Sequence, residues 1–331
     1  MLFLPIRTID LSKAPEQWAV LFQRTWPSYQ QWFLKEGYKA RAGYLTSVTA
    51  FEAQFPELAP TFHRLCEEVG GGDLTSRYLS MFCPPPYMSG CSQIAWSKEA
   101  PFLIRNYDYS PRYFEGHFVK TNYLKSIMGM SDCSWGLLDG VNEDGLCASL
   151  TFGGRRITST GFGIPLIIRY CLETCSNTKD AIERLKDIPA HMSYNVTLFD
   201  ADNEFATIYF VPGGRNQIHT SPIGTNHQEE ITWPDYATLT KTVERRNLLE
   251  SALNNPNETT GSLIQKFLHP PLFNTAYEKA FGTLYTAMYS PTERYTRLVW
   301  QNKQIEISLE DFREQRLKII LKSNAHRLIT V

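Results

Sequence analysis

The sequence lacks long apolar runs and an excess of charge of either sign. Its apolar start, residues 1–6, is followed by Arg7 and is too short for a signal-peptide core or a membrane span. The chain contains 33 basic and 34 acidic residues, which give a formal net charge of −1. Because the two signs are interspersed, the composition favours neither a nucleic acid nor a membrane as partner.

Residue spacings typical of metal sites are also lacking. The seven cysteines are odd in number and form no paired metal motif, and the histidines show no H-x-x-x-H spacing. Cys171 and Cys175 lie four residues apart on a predicted helix, where core packing explains them better than a metal site does. We therefore expect no metal and no other cofactor, and reduced thiols in a cytoplasmic protein.

No repeat of 20 to 50 residues recurs, which argues against a solenoid or a propeller. Residues 1–89 instead show mainly helical spacing, and the triple proline at 84–86 ends that region. Residues 92–307 show mostly strand patterns with two helical blocks among them, and a last helical stretch is predicted at 309–317. This order predicts an α+β fold in which two antiparallel sheets carry helices on their outer faces.

A predicted β-hairpin begins just after the triple proline. Residues 92–97 and 102–107 alternate as strands do, and a polar turn joins them. The hairpin brings Cys91, Arg105 and Asp108 together at one end. An arginine beside the sulfur favours the thiolate, and an aspartate can orient an ammonium group, so this end is the candidate reactive site.

The bond that joins Gly90 to Cys91 is a candidate cleavage site. Glycine admits close approach to its carbonyl, which the cysteine can attack, so that its own α-amino group becomes free. That group titrates near ~8 and can take the thiol proton, so nucleophile and base belong to one residue. On the residues alone, two plainer interpretations stay open: Cys91 is one more buried cysteine, and Arg105 and Asp108 are a structural ion pair.

Four motifs spread over about residues 90–300 resemble the N-terminal-nucleophile hydrolases of linear amides. They read G-C-S-Q-I-A-W…R-N-Y-D, D-G-V-N-E-D-G-L-C-A-S-L-T-F, I-G-T-N-H and T-L-Y-T-A-M-Y-S…L-V-W. Their order and spacing are most similar to the branch of the penicillin-forming acyl-CoA acyltransferase, whose relatives include choloylglycine hydrolase, penicillin V acylase and acid ceramidase-like amidases. The resemblance implies a four-layer αββα sandwich.

The resemblance also implies roles for individual residues. Cys91 matches the nucleophile, Arg105 the arginine beside the thiol, and Asp108 the aspartate that holds the free amino group. Asn226 matches an asparagine of the oxyanion hole, although without the motif the residue is better explained as a turn asparagine. Thr151 stands where bile salt hydrolases carry a second such asparagine, and its backbone amide can still donate to the oxyanion.

A late active-site arginine falls in the motif T-V-E-R-R. Arg245 lies three residues after Thr242 and fits the family's Ser/Thr-x-x-Arg pattern, and Arg246 is the second choice. A solvated helix face explains either arginine without a site.

The length of the chain before Cys91 distinguishes among the relatives. Bile salt hydrolases lose only an initiator methionine, whereas the acyltransferase type has a long pro-segment that is cut at Gly-Cys. We therefore expect autocatalytic cleavage between Gly90 and Cys91, after which a helical pro-segment, residues 1–90, stays bound to a catalytic chain, residues 91–331.

The expected activity is that of a cysteine amidase or acyltransferase. It would act on the linear amide bond of a small N-acyl molecule through a thioester on Cys91. Two alternatives stay open: N-acyl transfer that depends on acyl-CoA as donor, and an uncut, catalytically silent scaffold of the same fold that only binds.

Overall fold

A computed structural model describes residues 2–323 and shows two β-sheets at the centre of the folded molecule. The strands in chain order are β1 (Leu2–Asp10), β2 (Gly90–Trp96), β3 (Phe102–Tyr109), β4 (His117–Asn122), β5 (Ser126–Asp132), β6 (Gly136–Asn142), β7 (Cys147–Phe152), β8 (Tyr194–Phe199), β9 (Phe205–Phe210), β10 (Gln217–His219), β11 (Ile223–Gly224), β12 (Gly282–Ser290), β13 (Tyr295–Trp300), β14 (Lys303–Ser308) and β15 (Gln315–Leu321). A nine-stranded sheet has the order β10-β9-β8-β7-β6-β5-β4-β1-β15, and a six-stranded sheet has the order β11-β2-β3-β12-β13-β14. The two sheets pack face to face, with β2 against β7 and β8.

Helices cover the outer faces of both sheets. In chain order they are α1 (Gln17–Phe33), α2 (Tyr44–Gln54), α3 (Ala59–Glu68), α4 (Asp73–Leu79), α5 (Ile164–Thr174), α6 (Thr178–Leu185), α7 (Pro234–Thr240), α8 (Thr242–Asn254) and α9 (Thr260–Phe267). α5 and α6 pack on the nine-stranded sheet, whereas α8 and α9 pack on the six-stranded sheet. The predicted αββα order of layers is therefore confirmed. Within residues 2–323, no helix combines the length and the apolar character that crossing a membrane would need.

Local chemistry explains where several helices begin. Pro165 lies in the first turn of α5, where its missing N–H costs no hydrogen bond. The side chain of Asn177 caps α6 by accepting a hydrogen bond from the backbone N of Asp180 at 2.9 Å. Lys241 has a left-handed backbone (φ 52°) and separates α7 from α8.

The N-terminal segment is helical from α1 to α4, as predicted, but it begins with a strand that was missed. β1 is an interior strand of the nine-stranded sheet, antiparallel to β15 and parallel to β4. Pro5 argues against a strand in sequence-based reasoning, because proline cannot donate to the ladder. In the sheet, Arg7 pairs with His117 on one side and with Arg316 on the other, and both partners are remote from it in sequence.

The helix predicted at residues 309–317 is wrong. This part of the chain leads into β15, which pairs with β1 and completes the edge of the nine-stranded sheet. Ile319 and Leu321 are buried and Ile320 between them is exposed, as in a strand with one buried face.

The predicted hairpin is formed by β2 and β3. Gly90 pairs with Asp108, and Cys91 pairs with Tyr107. Because side chains alternate across a strand, Cys91 and Arg105 face the nine-stranded sheet, whereas Asp108 points to the opposite side. The three predicted residues thus meet at one hairpin end but on two faces of it.

Candidate active site

Cys91 is the second residue of β2, and its side chain is completely buried between the sheets. Its thiol donates to Ser89 Oγ at 3.5 Å, and Arg105 Nη2 donates to its sulfur at 3.2 Å. Ser89 and Arg105 are thus the side chains that contact the thiol next to the bond that was predicted to be cut.

Arg105 is held in place by a buried carboxylate. Its Nη1 donates to Asp139 Oδ2 at 2.6 Å and to the carbonyl of Leu138 at 2.8 Å. The hydroxyls of Tyr285 and Tyr289 also donate to Asp139. Burial acts to lower the pKa of Arg105, but Tyr285, Asp139 and Cys91 together raise it above its ordinary value, so the guanidinium stays charged.

The pKa of the Cys91 thiol is shifted away from the thiolate that Arg105 alone would favour. Burial raises the pKa of the thiol above its ordinary value and outweighs Arg105, which acts to lower it. The negative charge of Asp108 adds to the upward shift. Arg105 therefore offsets part of the effect of burial on the pKa of the Cys91 thiol.

Asp108 is the strand partner of Gly90, and its side chain lies on the face of the hairpin opposite to the side chain of Cys91. Thr283 Oγ1 donates to its Oδ1 at 2.6 Å. Burial raises the pKa of Asp108 to about 7, although Arg245, Thr283 and Arg105 act to lower it. The ring of Phe281 covers Gly90 so closely that a Cβ there would lie 2.9 Å from its Cζ, which explains why the position needs glycine.

Asn226 contacts both sides of the predicted cleavage site. Its Oδ1 accepts from the backbone N of Cys91 at 2.8 Å, and its Nδ2 donates to the carbonyls of Ser89 and Phe152, each at 3.1 Å. Tyr236 also donates to the Ser89 carbonyl, at 2.7 Å. In the continuous chain, the amide donors of Asn226 are thus occupied by backbone carbonyls.

Arg245 lies in this site and Arg246 does not. Arg245 is buried, donates to the carbonyl of Cys91, and donates from Nη2 to Asn226 Oδ1 at 2.6 Å. Arg246 is partly exposed and bonds to Glu250 one turn further along α8. The Thr242 hydroxyl, which begins the motif, contacts His227 Nδ1 at 2.8 Å and so fixes the loop next to Asn226.

Thr151 supports the site without pointing a free donor into it. Its hydroxyl donates to the carbonyl of Thr225 at 2.9 Å and accepts from Asn195 Nδ2 at 3.2 Å. These bonds tie β7 to the loop that carries Asn226. A role for the backbone amide of Thr151 stays a prediction.

Sequence reasoning assigned no role to several residues that organise the site. Asp139, Tyr285 and Tyr289 anchor Arg105, while Thr283 binds Asp108. A signal was present, because Asp139 opens one of the four motifs. Tyr285 and Tyr289 belong to another motif, and their spacing of four puts them on one face of a strand.

Comparison with protein-family models identifies the class of the chain. The model described as acyl-coenzyme A:6-aminopenicillanic acid acyl-transferase matches residues 96–304. This range is more than half of the 331 residues, and the chain belongs to this family. The matched range begins after Cys91 and includes Arg105, Asp108, Asn226 and Arg245.

Solved structures similar to this chain come from several organisms. A conjugated bile acid hydrolase from Clostridium perfringens is 13% identical, with a TM-score of 0.47, and the match covers 70% of this chain and 97% of that one. A penicillin V acylase from Agrobacterium tumefaciens is 14% identical (TM-score 0.42; 69% and 90% covered). The Caenorhabditis elegans ortholog of N-acylethanolamine-hydrolyzing acid amidase is also 14% identical (TM-score 0.43; 61% and 93% covered). None of the curated proteins matches the chain.

Proposed function

We propose that this protein cuts itself between Gly90 and Cys91 and then acts on the linear amide bond of an N-acyl substrate through a thioester on Cys91. The observation that carries this proposal is the geometry at Cys91. Its sulfur lies 3.2 Å from Arg105 Nη2, and its backbone N lies 2.8 Å from Asn226 Oδ1. Membership of an acyl-transferase family supports acyl chemistry at this site.

Self-cleavage begins with an N-to-S acyl shift. The Cys91 sulfur attacks the carbonyl carbon of Gly90, the C–N bond breaks, and the thiol proton passes to the departing α-amine. Water then hydrolyses the thioester, which leaves a carboxylate on Gly90 and restores the thiol of Cys91. Arg105 assists because its positive charge stabilises the sulfur as it becomes an anion.

The N-terminal segment would stay bound after the cut. β1 lies between β4 and β15 and hydrogen-bonds to both, so its loss would split the nine-stranded sheet. The helices of the segment also contribute buried aromatic residues, among them Trp18, Phe51 and Phe62, to the main hydrophobic core. Both contacts are independent of the Gly90–Cys91 bond.

The free α-amino group of Cys91 would then serve as base. Asp108 lies next to the new terminus and is suited to hold its ammonium form, whose positive charge would lower the raised pKa of this carboxyl. Departure of the Ser89 carbonyl would free Asn226 Nδ2 to bind the oxyanion of a substrate, with a backbone amide near Thr151 as second donor. The α-amino group finally gives its proton to the leaving amine.

Hydrolysis and acyl transfer differ in what resolves the thioester. Water gives an amidase, and an amine gives an acyltransferase. Membership of the acyl-coenzyme A:6-aminopenicillanic acid acyl-transferase family makes acyl-CoA the first donor to test. Product analysis separates the two cases: a new amide that forms only when amine is added identifies transfer, and free acid that is independent of the amine identifies hydrolysis.

Intact mass spectrometry tests the cleavage. We expect the purified protein to convert to two chains, one that ends at residue 90 and one that begins at residue 91. The two chains should co-elute in size-exclusion chromatography. Cys91→Ala should stay one chain, whereas Cys66→Ala, which removes another buried thiol, should be cut normally. A single uncut species in which Cys91 is nevertheless catalytically competent would overturn the proposal.

A catalytically silent scaffold gives a different pattern. In that case the protein stays uncut, and a thiol-directed electrophile does not label Cys91 in preference to the six other cysteines. Selective labelling of Cys91 in the cut protein, with the label mass found on the fragment that begins at residue 91, would exclude the scaffold.

A further inference from the structure

A cavity of about 550 Å³ lies between the N-terminal segment and the catalytic part of the chain. β1 and α1 supply one wall, and the loop between β3 and β4 supplies another. Trp32, Tyr87, Tyr109 and Phe114 are among the lining residues and give it an aromatic surface. This is the size and character of a site for a small organic molecule.

The cavity begins one layer of side chains away from Cys91. Tyr107 is the strand partner of Cys91, and its ring lies 5.7 Å from that of Tyr109 and 6.1 Å from that of Phe114. Tyr109 and Phe114 line the cavity. A molecule bound there would therefore lie at the same end of the space between the sheets as the thiol.

Three arginines line this cavity, and one of them, Arg112, lies over the ring of Tyr113 at 5.6 Å from its centroid. Arg7 comes from β1, Arg24 from α1 and Arg112 from the loop after β3. Among residues 2–323, none of the three side chains forms an ion pair. Arg7 even lies opposite Arg316 in the antiparallel ladder, a like-charge pair that is unfavourable on its own.

Arg7 and Arg24 also affect His117, another residue that lines the cavity. The pKa of His117 is lowered, first by burial and then by Arg7 and Arg24, against the opposing effect of Glu115. Two of the three arginines thus act on one neighbouring side chain. A site with this charge pattern attracts an anionic group.

The two acidic residues of the cavity are engaged elsewhere. Glu115 accepts from the hydroxyls of Tyr29 and Ser131 at 2.5 and 2.9 Å and from the backbone N of Ser134 at 2.8 Å. The Tyr29 hydroxyl lies 3.2 Å from Asp132 Oδ1, and burial together with the charge of Glu115 raises the pKa of Asp132 to about 7. These carboxyls bind the turn after β5 and form no ion pair with Arg7, Arg24 or Arg112 among residues 2–323.

We propose that the cavity binds a substrate with an apolar body and a terminal oxyanion, a carboxylate or a phosphate, and that Arg7, Arg24 and Arg112 bind this oxyanion. The inference rests on the proposed amide chemistry for its role in turnover. Arginine suits the task because its planar fork donates two parallel hydrogen bonds to either oxyanion. Two of the three arginines belong to the N-terminal segment, so this segment would be part of the substrate site.

Calorimetric titration of the full-length Cys91→Ala protein tests the inference without cleavage or turnover. Three probes are used: decanoate, its uncharged analogue decanamide, and coenzyme A. We expect decanoate or coenzyme A to bind at least tenfold more tightly than decanamide. The double variant Arg7→Gln/Arg24→Gln should lose that preference, whereas Arg64→Gln/Arg297→Gln, which removes two arginines outside the cavity, should keep it.

The probe that shows binding dependent on the arginines identifies the oxyanion as carboxylate or phosphate, and either result supports the inference. It is overturned if neither charged probe binds more tightly than decanamide, or if the double variant binds them as the parent does. If the double variant fails to fold, Arg112→Gln, on an exposed loop, replaces it with the same expected loss. Because the Cys91→Ala protein cannot cut itself, failure here leaves the cleavage proposal intact, and failure of cleavage leaves this binding result intact.

Discussion

Two groups of arginines in this molecule differ in whether protein acceptors bind their guanidinium groups. Arg105 and Arg245, beside Cys91, are completely buried and donate to fixed protein acceptors. Arg7 and Arg24, at the cavity, bind no carboxylate among the residues that the structure describes. The first group is organised before any substrate arrives, and the second group is not.

Burial explains the difference. A buried charge without a partner costs several kcal/mol, so an arginine inside the sheets must bring its acceptors with it. An arginine at the rim of a cavity keeps its hydration and can exchange water for a ligand. The buried group is therefore suited to one fixed bond, that between Gly90 and Cys91, and the rim group to a molecule from outside.

Removal of Arg105 should give the largest effect. Arg105→Gln leaves Asp139 buried without its cation, so we expect the free energy of unfolding to fall by roughly 3–5 kcal/mol. Self-cleavage should slow by about 100-fold or more, because the developing thiolate loses its nearest positive charge. Urea unfolding in the Cys91→Ala background and intact-mass time courses with Cys91 present measure the two effects.

A second substitution separates stability from chemistry at this position. Arg105→Gln/Asp139→Asn removes the stranded charge and should regain much of the lost stability. Self-cleavage should stay slow in the double variant, because Arg105 is still absent. Recovery of cleavage together with stability would show that Arg105 only supports the fold.

Adjacent arginines on α8 provide a matched test of the next-largest effect. Arg245→Gln should slow self-cleavage by roughly 10- to 100-fold, because Arg245 holds both the Cys91 carbonyl and Asn226. Arg246→Gln loses only an exposed pair with Glu250 and should change the rate by less than about twofold. Equal rates in the two variants would contradict the placement of Arg245 in the reacting site.

The sequence allowed the hairpin and the layer order to be predicted because both depend on local patterns. The alternation in β2 and β3 set which side chains share a face, and the motif around Asn226 pointed to a loop that does lie beside Cys91. Arg245 and Arg246 could be ranked only through a motif. Which of the two arginines is buried depends on how α8 packs on β2, and a local sequence pattern does not predict this packing.

Features that depend on remote segments could not be predicted. β1 owes its place to β4 and β15, at the other end of the chain, and its own proline argued against a strand. The cavity is formed by β1, α1 and the loop after β3 together, so no single stretch indicates it. Arg105 was found from sequence, but its anchor Asp139 was not, because an ion pair between strands requires the sheets to be placed first.

The raised pKa of Asp108 predicts a stability that falls with pH. Its pKa is about 7 in the folded chain, against an ordinary value of 3.8. Between about pH 4 and 7 the folded chain holds a proton that the unfolded chain has released, so the free energy of unfolding falls as pH rises, by up to about 1.4 kcal/mol per pH unit. Asp132, whose pKa is also raised to about 7, contributes with the same sign.

Substitution isolates the part due to Asp108. In the Cys91→Ala background, Asp108→Asn should reduce the slope of unfolding free energy against pH between about pH 5 and 7. The control Asp202→Asn removes an exposed carboxyl and should leave the slope unchanged. An identical slope in parent and Asp108→Asn would mean that burial does not hold this carboxyl protonated.

Ionic strength should affect probe binding at the cavity arginines and leave self-cleavage at Cys91 almost unchanged. This is the smallest of the expected effects. Raising NaCl from about 0.1 to about 1 M shortens the screening length from about 10 to about 3 Å. Binding of the charged probe at Arg7 and Arg24 should weaken severalfold, because these side chains reach solvent, and decanamide binding should not weaken. Self-cleavage should change by less than about twofold, since the partners of Arg105 lie 2.6 to 3.2 Å away inside the protein, where salt does not enter. If cleavage proves as sensitive to salt as probe binding is, the charge at Cys91 is open to solvent, and the contrast between fixed and free arginines fails.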